Sequence, residues 1–385
     1  MTRWLVLILA LVLGGAACGG DSCEDDTACK ETTRGAAATP TGTGDIASSD
    51  GGVLLEMLDA IPDTEDTALS VTYVDLEFLA EVLALDRPAE GATAEDVDAW
   101  WRQIMDGTAD LEARLLLVSD FVRALFENSA VTRAELGFDI ADITQAIQTG
   151  RPPATFDILR GRFDAAEVDA AVQSDPKWSD VLEEKSYKDV DYYSWGDDYE
   201  QDFDRIPTAR DQLGRGGRFA LIDGLVFWTL GTDETDAAIR SATEKTGSLA
   251  DRPEFAAMTP YLAELPVLSV YMTNFVQSVE NYPDLSDEPL LLPYLAWSVA
   301  GGQDESGAFM AVIIANADEE TASANVDLLA ERIASGTMLL NNSAWSDAID
   351  DTDIRSEGNI TIAILRGDEL PWTLPMNGAP LLLTE

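Results

Sequence analysis

The chain has 385 residues, 46% of them hydrophobic, and its 71 Asp and Glu outnumber 24 Lys and Arg to give a formal net charge of -47. A hydrophobic fraction of this size supplies a folded core, so the composition excludes a wholly disordered chain. The charge argues against binding to nucleic acid or anionic lipid headgroups, which depends on clustered Lys and Arg, and it favours cations or a basic protein as partners.

The first 17 residues have the three parts of an export signal. Arg3 carries a single positive charge, an apolar core runs from 4 to 13, and small residues follow it. The apolar run is too short to span about 30 Å of hydrocarbon, so we expect residues 1–17 to be a signal peptide that is removed. No later stretch is long and apolar enough to predict a membrane-spanning helix.

The residues Gly15-Ala16-Ala17-Cys18 end this leader. They resemble the bacterial lipoprotein signal, in which small residues precede a cysteine that is lipidated and becomes the mature N-terminus. Gly15 stands where a leucine is more usual. The resemblance implies an exported protein anchored by lipid on Cys18 at the cell surface or periplasmic side. The alternative is ordinary cleavage after Ala17, which leaves Cys18 as a free thiol.

The three cysteines of the chain, Cys18, Cys23 and Cys29, all lie near this leader. If Cys18 carries lipid, the other two form an even pair, which predicts a disulfide in an exported chain. The residues that follow are rich in Thr, Ala, Gly and Ser and have no apolar periodicity. We therefore expect 18–52 to form a flexible, lipid-anchored tether.

From residue 53 the sequence alternates between helical and strand periodicity, which predicts a folded head in two parts. Residues 53–265 are expected to form an α+β domain with a helical N-terminal part, and residues 266–385 a second α+β subdomain. Near the start of the head, LLEMLDA predicts a helix, and the alternation in ALSVTYVD predicts a strand.

The stretch AEDVDAWWRQIMDG predicts an amphipathic helix with Val97, Trp100, Trp101 and Ile104 on one stripe. We interpret the two tryptophans as core residues rather than as a platform for a ligand. The helical pattern continues through residues 111–128.

Three later stretches repeat one unit, an apolar strand followed by an acidic cap and an amphipathic helix. The acids at the three helix starts are Asp164, Asp233 and Asp318, and the first matches a capping box. Before the second helix, Asp223-Gly224 between apolar runs predicts a hairpin. Four further strands are predicted at 189–195, 267–275, 294–302 and 360–367.

These elements predict an α+β fold with mixed or antiparallel sheets, helices packed on one face, and split βαβ-like units. A doubly wound nucleotide-binding fold is disfavoured because no glycine-rich phosphate motif follows any strand. The stretches FDILRGRFDAAEVDAAV and SLADRPEFAAM are similar to an uncharacterised family of bacterial exported proteins. That resemblance implies no known activity.

The sequence contains no histidine, and its cysteines lie outside the head. This removes histidine-based triads, cysteine nucleophiles and the usual zinc sites. The leading hypothesis is therefore a non-catalytic binding or structural role at the surface, with no cofactor. The alternative is a carboxylate-dependent hydrolase that acts on cell-wall or environmental polysaccharide, since two carboxylates can hydrolyse a glycosidic bond.

One acidic segment, WGDDYEQDFDR, is a candidate calcium site because calcium prefers oxygen ligands, although the spacing of an EF-hand loop is missing. A second acidic stretch surrounds Asp350 and Glu357. The general acidity has another explanation, adaptation to high salt or alkaline surroundings. The acids of the first segment are Asp197, Asp198, Glu200, Asp202 and Asp204.

The next segment, RIPTARDQLGRGGR, gathers four arginines and three glycines in an otherwise acidic chain. Guanidinium groups and glycine N–H groups together can hold a carboxylate or phosphate, so this segment is a candidate anion-binding patch. The alternative is that these arginines pair with nearby acids of the same chain. The four arginines are Arg205, Arg210, Arg215 and Arg218.

Overall fold

The computed structural model shows helices packed on a large antiparallel sheet, and the expected α+β class is confirmed. The leader, the three cysteines, nearly all of the expected tether and the helical stretch 111–128 lie outside the described residues. The structure describes residues 51–110, 129–175, 180–202, 214–245, 247–276, 290–337 and 344–367.

Two helices begin at the acidic caps that the sequence predicts. Asp164 accepts hydrogen bonds from the backbone N–H groups of Ala166 and Glu167 at 2.9 and 3.0 Å, and Asp318 accepts one from Thr321 at 2.8 Å. Each carboxylate satisfies N–H groups that have no partner within the helix. The helices in the described residues are α1 (Gly51–Asp59), α2 (Glu65–Ala68), α3 (Leu76–Val82), α4 (Ala94–Asp110), α5 (Ser129–Leu136), α6 (Ala165–Ser174), α7 (Thr232–Glu244), α8 (Pro253–Ala263) and α9 (Glu319–Ser335).

All strands of the described residues belong to one sheet, and every neighbouring pair in it is antiparallel. The strands are β1 (Val71–Asp75), β2 (Ile143–Arg151), β3 (Ala154–Gly161), β4 (Leu182–Tyr187), β5 (Val190–Trp195), β6 (Gly217–Ile222), β7 (Leu225–Thr229), β8 (Val267–Thr273), β9 (Tyr294–Asp304), β10 (Gly307–Asn316), β11 (Asp351–Glu357) and β12 (Ile360–Arg366). Across the sheet they lie in the order β11-β12-β10-β9-β8-β1-β2-β3-β7-β6-β5-β4.

The pairing of β1 with β8 joins the two expected parts of the head. Tyr73 of β1 lies opposite Val270 of β8, so the backbone hydrogen bonds continue across the sheet between them. The expected boundary after residue 265 falls between α8 and β8, two consecutive elements of one compact unit that spans Asp45–Glu385.

Helices cover both faces of this sheet, whereas the sequence pattern predicts cover on one face. On β10, Phe309, Ala311 and Ile313 belong to the core formed with α1, α7 and α8. The alternate residues Met310 and Val312 belong to the core beneath α9. The same alternation on β3 separates the first core from the one beneath α3 to α6.

The sequence of β10 explains why helices cover both faces of the sheet. The run AFMAVIIAN in β10 is apolar without alternation, and its residues from 309 to 316 are all buried. A half-exposed strand alternates, whereas a strand that is buried on both faces is apolar throughout.

Helix α4 buries the stripe that the sequence predicts. Val97, Trp100, Trp101 and Ile104 are at most 6% exposed and pack beneath the sheet with α3, α5 and α6. The tryptophans are therefore core residues, as expected. In the described ranges, no helix combines the length and the apolar character needed to cross a membrane.

One turn and one edge strand show how local sequence determines the structure of the sheet. Asp223 and Gly224 join β6 to β7 with positive φ angles of 50° and 81°, which confirms the predicted hairpin. The acidic stretch near Asp350 forms the edge strand β11 rather than a loop, and Arg355 bridges Asp353 and Glu357 along it. Charged side chains on an edge strand oppose pairing with another chain.

A buried carboxylate, Asp75, connects β1 to α3. It accepts hydrogen bonds from the backbone N–H groups of Glu77 and Phe78 and from the side-chain amide of Gln145, at 3.1, 2.9 and 3.1 Å. Burial raises the pKa of Asp75 above its ordinary value of 3.8, and these hydrogen bonds oppose the rise. Its stabilising contribution is therefore present below pH 3.8 and is lost as the pH rises through the folded-state pKa.

We expect Asp75→Asn to gain stability relative to wild type as the pH rises from about 3 to about 7, because the neutral amide cannot ionise. Urea unfolding of both proteins across this range measures the difference in the free energy of unfolding. A difference that stays constant with pH would contradict the raised pKa of Asp75.

Candidate functional site

The two candidate segments of the sequence meet at one end of the sheet. β5 and β6 are neighbours, with Ser194 opposite Arg218 and Trp195 opposite Gly217. The acidic segment follows β5 and the arginine segment precedes β6, so the pairing brings Asp198 beside Arg218. We call the group Asp198, Arg218 and Thr232 the carboxylate site.

Three donors of the carboxylate site converge on one oxygen, Asp198 Oδ1. The backbone N–H and hydroxyl of Thr232 donate to it at 3.0 and 2.8 Å. Nη2 of Arg218 forms the third bond, as an ion pair. Nε of Arg218 also donates to the Thr232 hydroxyl oxygen at 3.2 Å, so the three residues form a closed network.

Arg218 is held from behind by backbone carbonyls. Its Nη1 donates to the carbonyl oxygens of Trp195 and Gly217 at 3.3 and 2.9 Å. The Arg218 side chain is 2% exposed, whereas that of Asp198 is 42% exposed. The guanidinium is thus a fixed, buried charge, and Asp198 covers it from the solvent side. Removing the acid would leave a buried charge without a counter-ion.

Asp198 also replaces the cap that the sequence predicts for α7. Asp233 lies in the first turn of the helix, and the N-cap position is Gly231, which has no capping side chain. The cap comes instead from Asp198, 34 residues before Thr232 in the chain. A Cβ at position 231 would lie 2.7 Å from the Tyr199 hydroxyl oxygen, so glycine permits this close approach.

Tyr199 fixes the segment that carries Asp198. Its φ angle of 59° lies in the left-handed region, which is uncommon for a residue with a side chain. Its N–H donates to the Leu230 carbonyl at 3.1 Å, and its hydroxyl donates to the Glu234 carboxylate. Burial and this carboxylate raise the pKa of the Tyr199 hydroxyl. The segment is therefore held directly after Asp198, by Leu230 just before α7 and by Glu234 in its first turn.

A cleft of about 620 Å³ opens beside the carboxylate site. Trp195 and Arg218 line it, together with charged residues of both signs. Nζ of Lys185 lies 3.3 Å from the Glu183 carboxylate along β4, and Asp197 also lines the cleft. Its volume is in the range of small-molecule sites.

The calcium hypothesis gains no geometric support from the described acids. Asp198 is engaged by Arg218, and the Glu200 carboxylate accepts a bond from the backbone N–H of Asp197 at 3.1 Å. The backbone N–H of Asp202 donates to the Gly214 carbonyl. Among the residues that the structure covers, no group of three or more acids or cysteines is placed to hold a metal ion. Asp204 lies outside them.

The predicted arginine patch is only partly brought together. Arg218 enters the carboxylate site. The backbone of Arg215 forms an antiparallel bridge with Gln201, and its carbonyl accepts a bond from the Trp195 indole N–H at 3.2 Å. Arg205 and Arg210 lie outside the described residues. Sequence reasoning missed Thr232, because its role depends on a carboxylate distant in the chain.

The fold and site together define an acidic antiparallel α+β head with a buried arginine beside a cleft. No family model and no curated protein matches the chain. Crystal form III of TP0453 is 10% identical with a TM-score of 0.37, covering 82% of this chain and 96% of that chain. Crystal form I of TP0453 is 9% identical with a TM-score of 0.37, covering 84% and 96%. These values assign neither a family nor an activity.

We expect Asp198→Ala to lower the free energy of unfolding by roughly 3 kcal/mol, because it leaves the buried Arg218 unpaired. The matched control is Asp164→Ala, which also removes a carboxylate from a helix N-terminus and has no arginine partner among the described residues. Its loss should be about 1 kcal/mol. Denaturant unfolding compares the two, and equal losses would show that Asp198 acts only as a cap.

Proposed function

We propose that this chain is an exported protein held at a membrane by lipid on Cys18, and that its head has a binding rather than a catalytic role. The leader and the sequence Gly15-Ala16-Ala17-Cys18 support the anchor. The proposed pair of Cys23 and Cys29 would close a small loop beside the anchor. The tether that follows would hold the head away from the lipid surface.

The observation that carries the binding role is the cleft beside the carboxylate site. The buried guanidinium of Arg218, held by two backbone carbonyls, lines it together with Lys185, Glu183 and Asp197. A few fixed polar groups in a concave site set the orientation of a ligand, which is the usual arrangement of small-molecule sites. The surrounding charge of -47 would attract cations or a basic protein to the same surface.

The anchor is tested by mass spectrometry of the mature N-terminus together with membrane fractionation. We expect the mature chain to begin at a lipid-modified Cys18 and to sediment with membranes. Cys18→Ser should release the protein into the soluble fraction, because the single acyl-bearing residue is lost.

The control for this experiment is Cys23→Ser with Cys29→Ser, which removes two cysteines and leaves Cys18 in place. This variant should remain in the membrane fraction. A soluble wild-type protein with an unmodified Cys18 would contradict the anchor, and it would leave the binding role of the head unaffected.

The binding role is tested by screening small charged and zwitterionic compounds against the head with thermal unfolding. Compounds that bind in the cleft should lose affinity by about tenfold or more in Val181→Trp, because the larger ring narrows the cleft. Leu55→Trp is a matched control, since Leu55 on α1 is 43% exposed and Val181 is 39% exposed. Equal binding to both variants, or no stabilising compound, would contradict the cleft as the binding site.

A further inference from the structure

We infer that the cleft takes a small monocarboxylate, whose carboxylate group replaces that of Asp198 on Arg218 and Thr232. This inference rests on the proposed function, in which the cleft is the binding site of the head. It adds the chemical class of the ligand and the way in which the ligand enters.

The first support is that the carboxylate site is already built for a carboxylate. A guanidinium, a backbone N–H and a hydroxyl all point at a single oxygen of Asp198. Hydrogen bonds to an ionised carboxylate are stronger than hydrogen bonds between two neutral groups. An entering carboxylate would find the same three donors.

The second support is the contrast between the fixed receptor and the more exposed occupant. Arg218 stays in place without Asp198, because two backbone carbonyls hold its Nη1. Asp198 is 42% exposed and lines the cleft with Arg218 and Thr232. Rotation of the Asp198 side chain toward solvent therefore opens the donors to the cleft while the backbone near Tyr199 keeps its contacts.

The third support concerns the charge of the ligand. Lys185 balances Glu183 in this cleft, which leaves Asp197 and the displaced Asp198 to repel an entering anion, and a doubly charged sulfate is repelled more strongly than a monocarboxylate. A monocarboxylate offers Arg218 and Thr232 the same group that Asp198 offers them, and it brings only one added charge into the cleft. The site should therefore prefer a monocarboxylate to sulfate or phosphate.

The test uses the purified mature protein with sodium acetate as the probe and sodium sulfate as the comparison, both at fixed ionic strength against chloride. The variants are Asp198→Ala, which empties the donors, and Asp164→Ala, which empties a helix N-terminus without an arginine. The readouts are the melting temperature and the amide resonance of Thr232.

Acetate should raise the melting temperature of Asp198→Ala in a saturable manner and shift the Thr232 amide, while Asp164→Ala responds no more than wild type. Wild type should show the same Thr232 shift, but it should bind acetate at least about tenfold more weakly than Asp198→Ala does. The reason is that Asp198 occupies the donors most of the time. Sulfate should give a smaller effect than acetate in both proteins.

Three results would overturn the inference. The first is an Asp198→Ala response no larger than that of Asp164→Ala. The second is a sulfate effect equal to that of acetate, which would indicate screening rather than a site. The third is a wild-type Thr232 amide that does not move with acetate, which would make Asp198 a permanent clamp.

If Asp198→Ala fails to fold, the wild-type titration and Asp198→Asn decide the question, since the amide keeps the shape of the occupant without its charge. Asp198→Asn should bind acetate more tightly than wild type, and equal or weaker binding would count against displacement. Failure of these tests leaves the proposed function open to other ligands, because the Val181→Trp comparison detects any compound in the cleft. If acetate binds as expected but Val181→Trp and Leu55→Trp bind the screened compounds equally, the binding is located at Arg218 and not in the rest of the cleft.

Discussion

A sheet that is covered by helices on both faces leaves its central strands no side that faces water. A charged group on these buried strands therefore needs a partner inside the protein, because an unpaired buried charge costs about 3 to 5 kcal/mol. Arg218 lies on β6 under this constraint, and its partner is brought from the segment after β5. Asp75 at the end of β1 meets the same constraint with backbone N–H groups and an amide.

Several of the described arginines each contact two or more acids in this acidic chain. Arg252 bridges Asp63, Glu65 and Glu254, and Arg133 bridges two carboxylates of the turn before β2. Such groups relieve repulsion among neighbouring acids, which surface ion pairs alone do only weakly. Arg218 differs from these two because its guanidinium is almost wholly buried and borders a cleft. The carboxylate site thus places a buried, paired guanidinium beside a cleft.

Local features of the head were predictable from residues that lie close in the chain. The stripe on α4, the caps at Asp164 and Asp318 and the Asp223-Gly224 hairpin all follow from short patterns. The cover on both faces was not predicted, although the unbroken apolar run of β10 indicates it. The joining of β1 to β8 depends on register between distant segments, which periodicity does not contain.

The candidate site was predicted in parts and assembled only by the fold. The acidic segment and the arginine segment were each identified, but as separate sites for a cation and for an anion. The pairing of β5 with β6 brings Asp198 of the first segment onto Arg218 of the second. Thr232 joins them from a third segment, at the start of α7. Arg218 therefore pairs with an acid of its own chain, which was the alternative interpretation of that segment.

The central claim is that Arg218 and Thr232 form a carboxylate receptor that Asp198 occupies. A crystal structure of Asp198→Ala grown in sodium acetate tests it most directly. The account predicts an acetate oxygen at about 3 Å from both the Thr232 backbone nitrogen and Arg218 Nη2, with Arg218 still bonded to the Trp195 and Gly217 carbonyls. An Arg218 side chain turned out of the site, or paired with another carboxylate of the chain and without acetate, would contradict it.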